Sequence, residues 1–75
     1  MPKLPRDVSG EEAVKVFVRA GFVVDHQTGS HTTLYHTKDP RKMLSVPRHR
    51  VLKTGTLRTL IRLSGMTVEQ FLELL

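Results

Sequence analysis

Cysteine is absent from this chain of 75 residues, and the absence excludes two kinds of structure. Without a thiol there is no disulfide framework, and a structural zinc site would need a shell made only of histidine and carboxylate groups. The first ten residues, MPKLPRDVSG, contain no apolar run, which argues against a signal peptide or a membrane span. We therefore expect a cytoplasmic protein.

Acidic residues are fewer than basic residues in this chain. The chain has 12 lysine and arginine residues against 7 aspartate and glutamate residues, and its formal net charge is +5 at pH 7. This balance favours an anionic partner, such as nucleic acid, an acidic protein or a membrane surface. A chain this short is expected to form one domain over residues 1–75, with little room for an enclosed pocket, so we expect a functional site on an open face.

The pattern of apolar residues predicts an α+β fold that begins with a helix. Residues 1–8 are expected to be extended. Ser9 and Glu12 have the spacing of a capping box, and Gly21 has the position of a helix stop. The predicted core stripe of this helix consists of Ala13, Val14, Phe17 and Val18.

Three strands and two further helices are predicted after the first helix. The runs FVVDHQ, SHTTLYH and MLSV indicate an antiparallel three-stranded meander, and Pro47 is expected to end its third strand. A second helix is predicted up to Gly65, and a capping box of Thr67 with Gln70 begins a third. The predicted core face of this third helix consists of Val68, Phe71, Leu72 and Leu75. The order is α-β-β-β-α-α.

Alternation along the second strand predicts which face of the sheet each side chain takes. Leu34 is the expected core residue, so Thr32 and His36 share its face. The residues that point to the other face are His31, Thr33 and Tyr35. If the helices cover one face of the sheet, His31 and Tyr35 lie on the open face, where an imidazole beside an aromatic ring suits the handling of RNA.

Four short motifs carry a resemblance to a known family. They are Gly21-Phe22, Gly29-Ser30-His31, Val46-Pro47 with His49 shortly after, and Gly55-Thr56-Leu57. In this order and at these spacings the chain resembles the HicA family of toxins from bacterial toxin–antitoxin pairs, over nearly its whole length. It departs from the family at Leu52-Lys53-Thr54, where members often carry a proline and a lysine.

The resemblance implies a fold, an activity and a partner. The fold would be similar to that of the double-stranded RNA-binding domain, with the helices on one face of the sheet. The activity would be that of an mRNA endonuclease, with a catalytic histidine that corresponds to His31. The partner would be a HicB-like antitoxin, and we expect it to be acidic because it must meet a basic surface. We expect no cofactor, no metal, no membrane partner and no DNA partner.

Metal-independent cleavage of RNA needs a proton acceptor, a proton donor and positive charge on the phosphoryl oxygens. An imidazole suits both proton transfers because it titrates near neutral pH, and His31 is the predicted catalyst. Gly29 would let the backbone approach the substrate, and Ser30 would hold the backbone or the ribose. The predicted RNA-binding cations are Arg48, Arg50 and Lys53.

The remaining histidines have less definite roles. His49 is left open between loop packing and contact with the substrate, whereas His26 and His36 are expected to be structural or surface residues. A metal site built from the four histidines is not expected, because His31 and His36 have opposite parity on their strand. The second group that transfers a proton is left open among a lysine, a water molecule and a second histidine.

Two function classes remain open on these residues. In the first, the protein is an mRNA endonuclease for which His31 is indispensable. In the second, it is a non-catalytic RNA-binding module of the same fold, in which His31 is replaceable. A third and weaker hypothesis is a protein-interaction adaptor whose charge serves an acidic partner alone.

Overall fold

Six elements form the fold, in the predicted order α-β-β-β-α-α. The structure, a computed structural model, describes residues 3–75. The elements are α1 (Gly10–Arg19), β1 (Phe22–Gln27), β2 (His31–His36), β3 (Met43–Pro47), α2 (Thr54–Ser64) and α3 (Val68–Leu74). The three strands make one antiparallel sheet in the order β1-β2-β3.

Both predicted capping boxes are confirmed. At the start of α1, Ser9 Oγ accepts a hydrogen bond of 3.0 Å from the backbone N–H of Glu12, and Glu12 Oε1 accepts one of 3.1 Å from the N–H of Ser9. Thr67 and Gln70 make the same reciprocal pair at the start of α3, at 3.1 and 2.9 Å. Each box satisfies backbone donors that a helix start leaves without an intrahelical partner.

The ends of α1 and α2 also follow the prediction. Gly21 follows α1 with φ +106°, and Gly65 caps α2 with φ +82°. These positive φ angles belong to a left-handed backbone conformation that residues with a Cβ rarely adopt. Glycine therefore follows the end of both helices. By contrast, Lys53 begins α2 without a side-chain hydrogen bond to the helix.

The sheet has the predicted meander topology and one irregularity. Leu34 of β2 lies opposite Leu44 of β3, and β3 includes Pro47 as its last residue, opposite His31. The register of β1 against β2 shifts between Val24 and His26, so β1 carries a bulge. The alternation in FVVDHQ alone does not predict this bulge.

The core lies between the sheet and the helices. Thr32 and Leu34 of β2 are buried, as the alternation predicted. On this face, the sheet packs against α1 and α2, whose buried residues join one hydrophobic cluster with the strands. Phe17 lies at its centre, with ring centroids 6.0 Å from Phe22 and 5.7 Å from Phe71. The arrangement fits the fold of the double-stranded RNA-binding domain.

Two residues predicted for the core are exposed instead. Val18 of α1 is 46% exposed and Leu75, after α3, is 44% exposed. Val16 is buried in α1, and Leu74 of α3 packs against the core. Helical spacing alone does not distinguish the predicted apolar stripe from one that is shifted by one or two residues. The position of the sheet decides which side of each helix is covered.

The segment before α1 contributes to the core and to the position of the later loops. Leu4 and Val8 are buried, and the Val8 carbonyl accepts a hydrogen bond of 2.8 Å from the N–H of Leu52. Arg6 and Asp7 form a turn. The expectation of an extended segment over residues 1–8 falls in part on residues 1 and 2, which lie outside the described residues.

None of the helices within residues 3–75 is long and apolar enough to span a membrane.

Candidate functional site

The turn between β1 and β2 is fixed by the side chain of Thr28. Thr28 Oγ1 accepts hydrogen bonds from the backbone N–H of Ser30 at 3.3 Å and of His31 at 3.0 Å. The N–H of Thr28 also donates to the His31 carbonyl at 2.8 Å. Thr28 was not among the predicted site residues. Its signal was a hydroxyl residue directly before Gly-Ser, since such side chains bond to backbone groups two or three residues ahead.

His31 is the first residue of β2 and its side chain is exposed. It lies on the face of the sheet opposite Leu34, because Thr32 and Leu34 point into the core. Its Nδ1 lies 2.9 Å from Ser30 Oγ. This hydrogen bond occupies Nδ1, so Nε2 is the nitrogen left to exchange a proton with a substrate. Ser30 therefore contacts the imidazole itself, a partner that was not predicted for its hydroxyl.

The basic loop after β3 is tied to the same turn. The backbone N–H of Arg48 donates to the Ser30 carbonyl at 2.8 Å. Its guanidinium Nη1 donates to the Thr28 carbonyl at 3.2 Å. These two bonds fix the start of the loop Arg48-His49-Arg50 against the turn that carries His31.

An open groove of about 450 Å³ lies beside this turn. Its lining residues are Ser9, Glu11, Gly29, Arg48, His49 and Arg50. The groove thus brings together four of the seven predicted site residues. His31 and Ser30 lie next to it on the hairpin, and Lys53 lies outside its lining, at the start of α2.

His49 takes part in loop packing and in the groove. Its backbone carbonyl accepts a hydrogen bond of 2.9 Å from the N–H of Gly10, so the main chain holds the loop against the start of α1. Its side chain is exposed, and the residue lines the groove. Loop packing is therefore observed for the backbone, and the exposed ring is accessible to a ligand in the groove.

The groove is basic but not uniformly so. Within residues 3–75 the ion pairs are His26–Asp25 and Arg41–Asp39, so Arg48 and Arg50 are not paired with a carboxylate there. Glu11 of α1 adds one acidic group to the lining. Helical spacing correctly puts Glu11 on the solvent side of its helix, but it does not indicate that this side borders the basic loop.

The family model for the HicA toxin of bacterial toxin–antitoxin systems matches residues 10–66 of the chain. The protein belongs to the HicA toxin family. It is therefore the toxin of a toxin–antitoxin system, and family membership implies an antitoxin partner. A comparison with curated protein sequences gives no match.

The HicA match includes all seven predicted site residues. The turn with Gly29, Ser30 and His31 lies within residues 10–66, and so does the basic loop with Lys53. Ser9 is the one groove residue that precedes the matched segment.

The other two histidines of this HicA-family protein differ in environment. His36 is half-buried, its ring lies edge-on to Phe22 with centroids 4.9 Å apart, and its Nδ1 accepts from the N–H of Lys38. It is structural, as expected. His26 is exposed, with Nδ1 2.8 Å from Asp25 Oδ2. Across residues 3–75 no group of three or more histidine and carboxylate side chains is arranged to hold a metal ion.

Proposed function

We propose that this HicA-family protein is a metal-independent endoribonuclease that cleaves mRNA, with His31 as its catalytic histidine. One observation carries the proposal. The exposed His31 has its Nδ1 bonded to Ser30, and it stands on a turn to which Arg48 is hydrogen-bonded. The same turn therefore carries an exposed imidazole and holds a cationic side chain in place.

The chemistry requires activation of the ribose 2′-hydroxyl, which attacks the adjacent phosphorus. His31 Nε2 accepts the hydroxyl proton, and the cations stabilise charge that develops on the phosphoryl oxygens. The bond to the 5′-oxygen then breaks and that oxygen takes a proton from a second group, which leaves a 2′,3′-cyclic phosphate on one fragment and a 5′-hydroxyl on the other. No metal is needed for this route.

RNA binding is assigned to the groove and to the start of α2. Arg48 and Arg50 contact phosphates in the groove, and Lys53 extends the basic surface towards α2. His49 presents a ring to the same groove. The turn surface is open at Gly29, where a built Cβ has no neighbouring atom within 4 Å, and the missing side chain leaves the backbone there accessible to the substrate.

The antitoxin is proposed to be a HicB-like acidic protein that covers this surface. The chain carries a net charge of +5, and its groove arginines have no carboxylate partner within residues 3–75. An acidic partner complements that charge and blocks access of RNA to His31.

The test is cleavage of a labelled mRNA by the purified protein in the presence of EDTA. We expect cleavage by the wild type, no cleavage by His31→Ala, and a 2′,3′-cyclic phosphate at the 3′ end of the upstream fragment of each cut. The matched control is Lys38→Ala, which removes an exposed side chain beyond the opposite end of β2. It is expected to cleave like the wild type.

The competing hypothesis, a non-catalytic RNA-binding module, predicts a different result. The groove charge alone supports RNA binding without chemistry. If the wild type and His31→Ala bind RNA equally and neither cleaves it, the proposed ribonuclease function is wrong and the binding module is correct.

A further inference from the structure

The bulge in β1 changes the face on which His26 lies. Before the bulge, Val24 is opposite Leu34, and regular pairing would continue with residue 26 opposite Thr32, on the core face. In the structure His26 is instead opposite Thr33, and Asp25 is the extra residue. His26 therefore shares the face of Thr33, which is the open face of the sheet.

This face is also the face of His31. His31 precedes Thr33 by two residues on β2, so His26 and His31 are diagonal neighbours across the β1–β2 pair. The backbones of diagonal neighbours on two antiparallel strands are roughly 7–8 Å apart, a distance that long side chains can span. Two exposed imidazoles thus lie on adjacent strands, as diagonal neighbours on the open face of the sheet.

We propose that His26 is a second catalytic histidine of this site, the general acid that protonates the leaving 5′-oxygen while His31 acts as the base. The proposal rests on the ribonuclease function proposed above. It assigns the proton donor that a single histidine cannot supply in the same step as it accepts a proton.

The hydrogen-bond partners of the two rings support this division of roles. The Asp25 carboxylate lies 2.8 Å from His26 Nδ1, where it accepts the Nδ1 hydrogen and balances the charge of a protonated ring. His26 Nε2 is then the atom that donates. The Nδ1 of His31 faces the neutral hydroxyl of Ser30 at 2.9 Å. With that hydroxyl as acceptor, His31 Nε2 carries the lone pair that a base requires.

The step balances without any other reactant. The bond between the 2′-oxygen and phosphorus forms, and the 2′-hydroxyl proton passes to His31 Nε2. The bond between phosphorus and the 5′-oxygen breaks, and that oxygen takes the proton of His26 Nε2. Exchange with water then restores the starting protonation of both rings.

The experiment compares two leaving groups under single-turnover conditions. A cleavage site is first mapped on mRNA, and an oligonucleotide containing it is made with either oxygen or sulfur at the 5′ position of the scissile phosphate. A thiolate leaves without protonation, so the sulfur substrate does not need the acid. We expect His26→Ala to slow cleavage of the oxygen substrate by about 100-fold and to cleave the sulfur substrate like the wild type.

Two controls make the comparison specific. His31→Ala removes the base and is expected to slow cleavage of both substrates. Val24→Ala truncates another side chain of β1 that is 41% exposed and precedes the bulge, and it is expected to match the wild type on both. Thermal unfolding of each variant verifies that it is folded.

The outcomes separate this inference from the proposed function. If the wild type cleaves and His31→Ala does not, but His26→Ala cleaves the oxygen substrate at the wild-type rate, the role of His26 is wrong and the ribonuclease function stands. An equal loss on the oxygen and sulfur substrates also overturns the assignment of His26 as the acid. If the wild type cleaves neither substrate, both proposals are wrong.

Discussion

At the scale of single residues, the hydrogen bond of Ser30 to His31 Nδ1 leaves Nε2 for the proposed proton transfer. Replacing Ser30 by alanine removes the hydrogen bond to Nδ1, worth about 1 kcal/mol, and allows the ring to change tautomer and orientation. We expect Ser30→Ala to lower the single-turnover cleavage rate by about five- to tenfold. RNA affinity is expected to stay unchanged, because the hydroxyl is bonded to the imidazole.

The matched variant for this prediction is Ser30→Thr. Threonine keeps the hydroxyl and is expected to restore most of the rate that alanine loses. A fall in RNA affinity with an unchanged cleavage rate for Ser30→Ala would contradict the prediction, since it would mean that Ser30 contacts the substrate and does not position His31.

Gly10 is required for the approach of α1 to the end of β3. A Cβ at Gly10 would clash with the carbonyl oxygen of Pro47, a backbone atom that cannot move aside independently. We expect Gly10→Ala to lower the free energy of unfolding by roughly 1–3 kcal/mol. Urea denaturation measures the change.

Gly55 provides the control for Gly10, because it also lies in the first turn of a helix. A Cβ at Gly55 has no atom within 4 Å, so Gly55→Ala is expected to raise the free energy of unfolding by about 0.5 kcal/mol through helix propensity alone. Destabilisation by both substitutions to the same degree would show that the close contact with Pro47 is not the cause.

At the scale of elements, α2 begins without the capping side chain that is preferred at the start of a helix. Lys53 makes no side-chain hydrogen bond to the helix, and the first turn of α2 has no acidic residue. Lys53→Ser supplies a capping hydroxyl and removes a positive charge from the positive end of the helix dipole. We expect a gain of about 1 kcal/mol in the free energy of unfolding, seen as a rise of about 4–8 °C in Tm.

The same substitution is expected to weaken RNA binding, because Lys53 is a proposed phosphate contact. This opposition of stability and binding would explain why a lysine occupies the capping position. A variant that gains stability and binds RNA as tightly as the wild type would remove Lys53 from the proposed interface.

The elements were predictable where their causes are local. Ser9 with Glu12 and Thr67 with Gln70 mark their helices through contacts three residues apart, and both pairs form as predicted. The bulge at Asp25 was not predictable, because it depends on how β1 pairs with a second strand. The expectation that His26 is a structural or surface residue took no account of the face this register shift gives it.

At the scale of the whole molecule, the sequence located the turn and the basic loop of the candidate site but not the groove beside them. The motif Gly29-Ser30-His31 predicted the turn that carries His31, and Arg48 was predicted as a cation because it is basic. The groove could not be predicted from the sequence, because its lining comes from the start of α1 and from the loop after β3, which are far apart in the chain. Glu11 entered the site through that long-range packing, which the bond from Gly10 to the His49 carbonyl fixes.

The net charge of +5 predicts salt-sensitive RNA binding, and the groove predicts which arginines cause it. Binding is measured with the His31→Ala background, so that the RNA stays intact, and the logarithm of affinity is plotted against the logarithm of salt concentration. Each lost contact to a single-stranded phosphate should reduce the slope by about 0.7. We expect this reduction for Arg50→Ala, because Arg50 lines the groove.

Arg62→Ala removes an equal charge from the exposed side of α2 and is expected to leave the slope unchanged. Equal reductions for both variants would mean that RNA responds to the total charge of the molecule and does not occupy the groove.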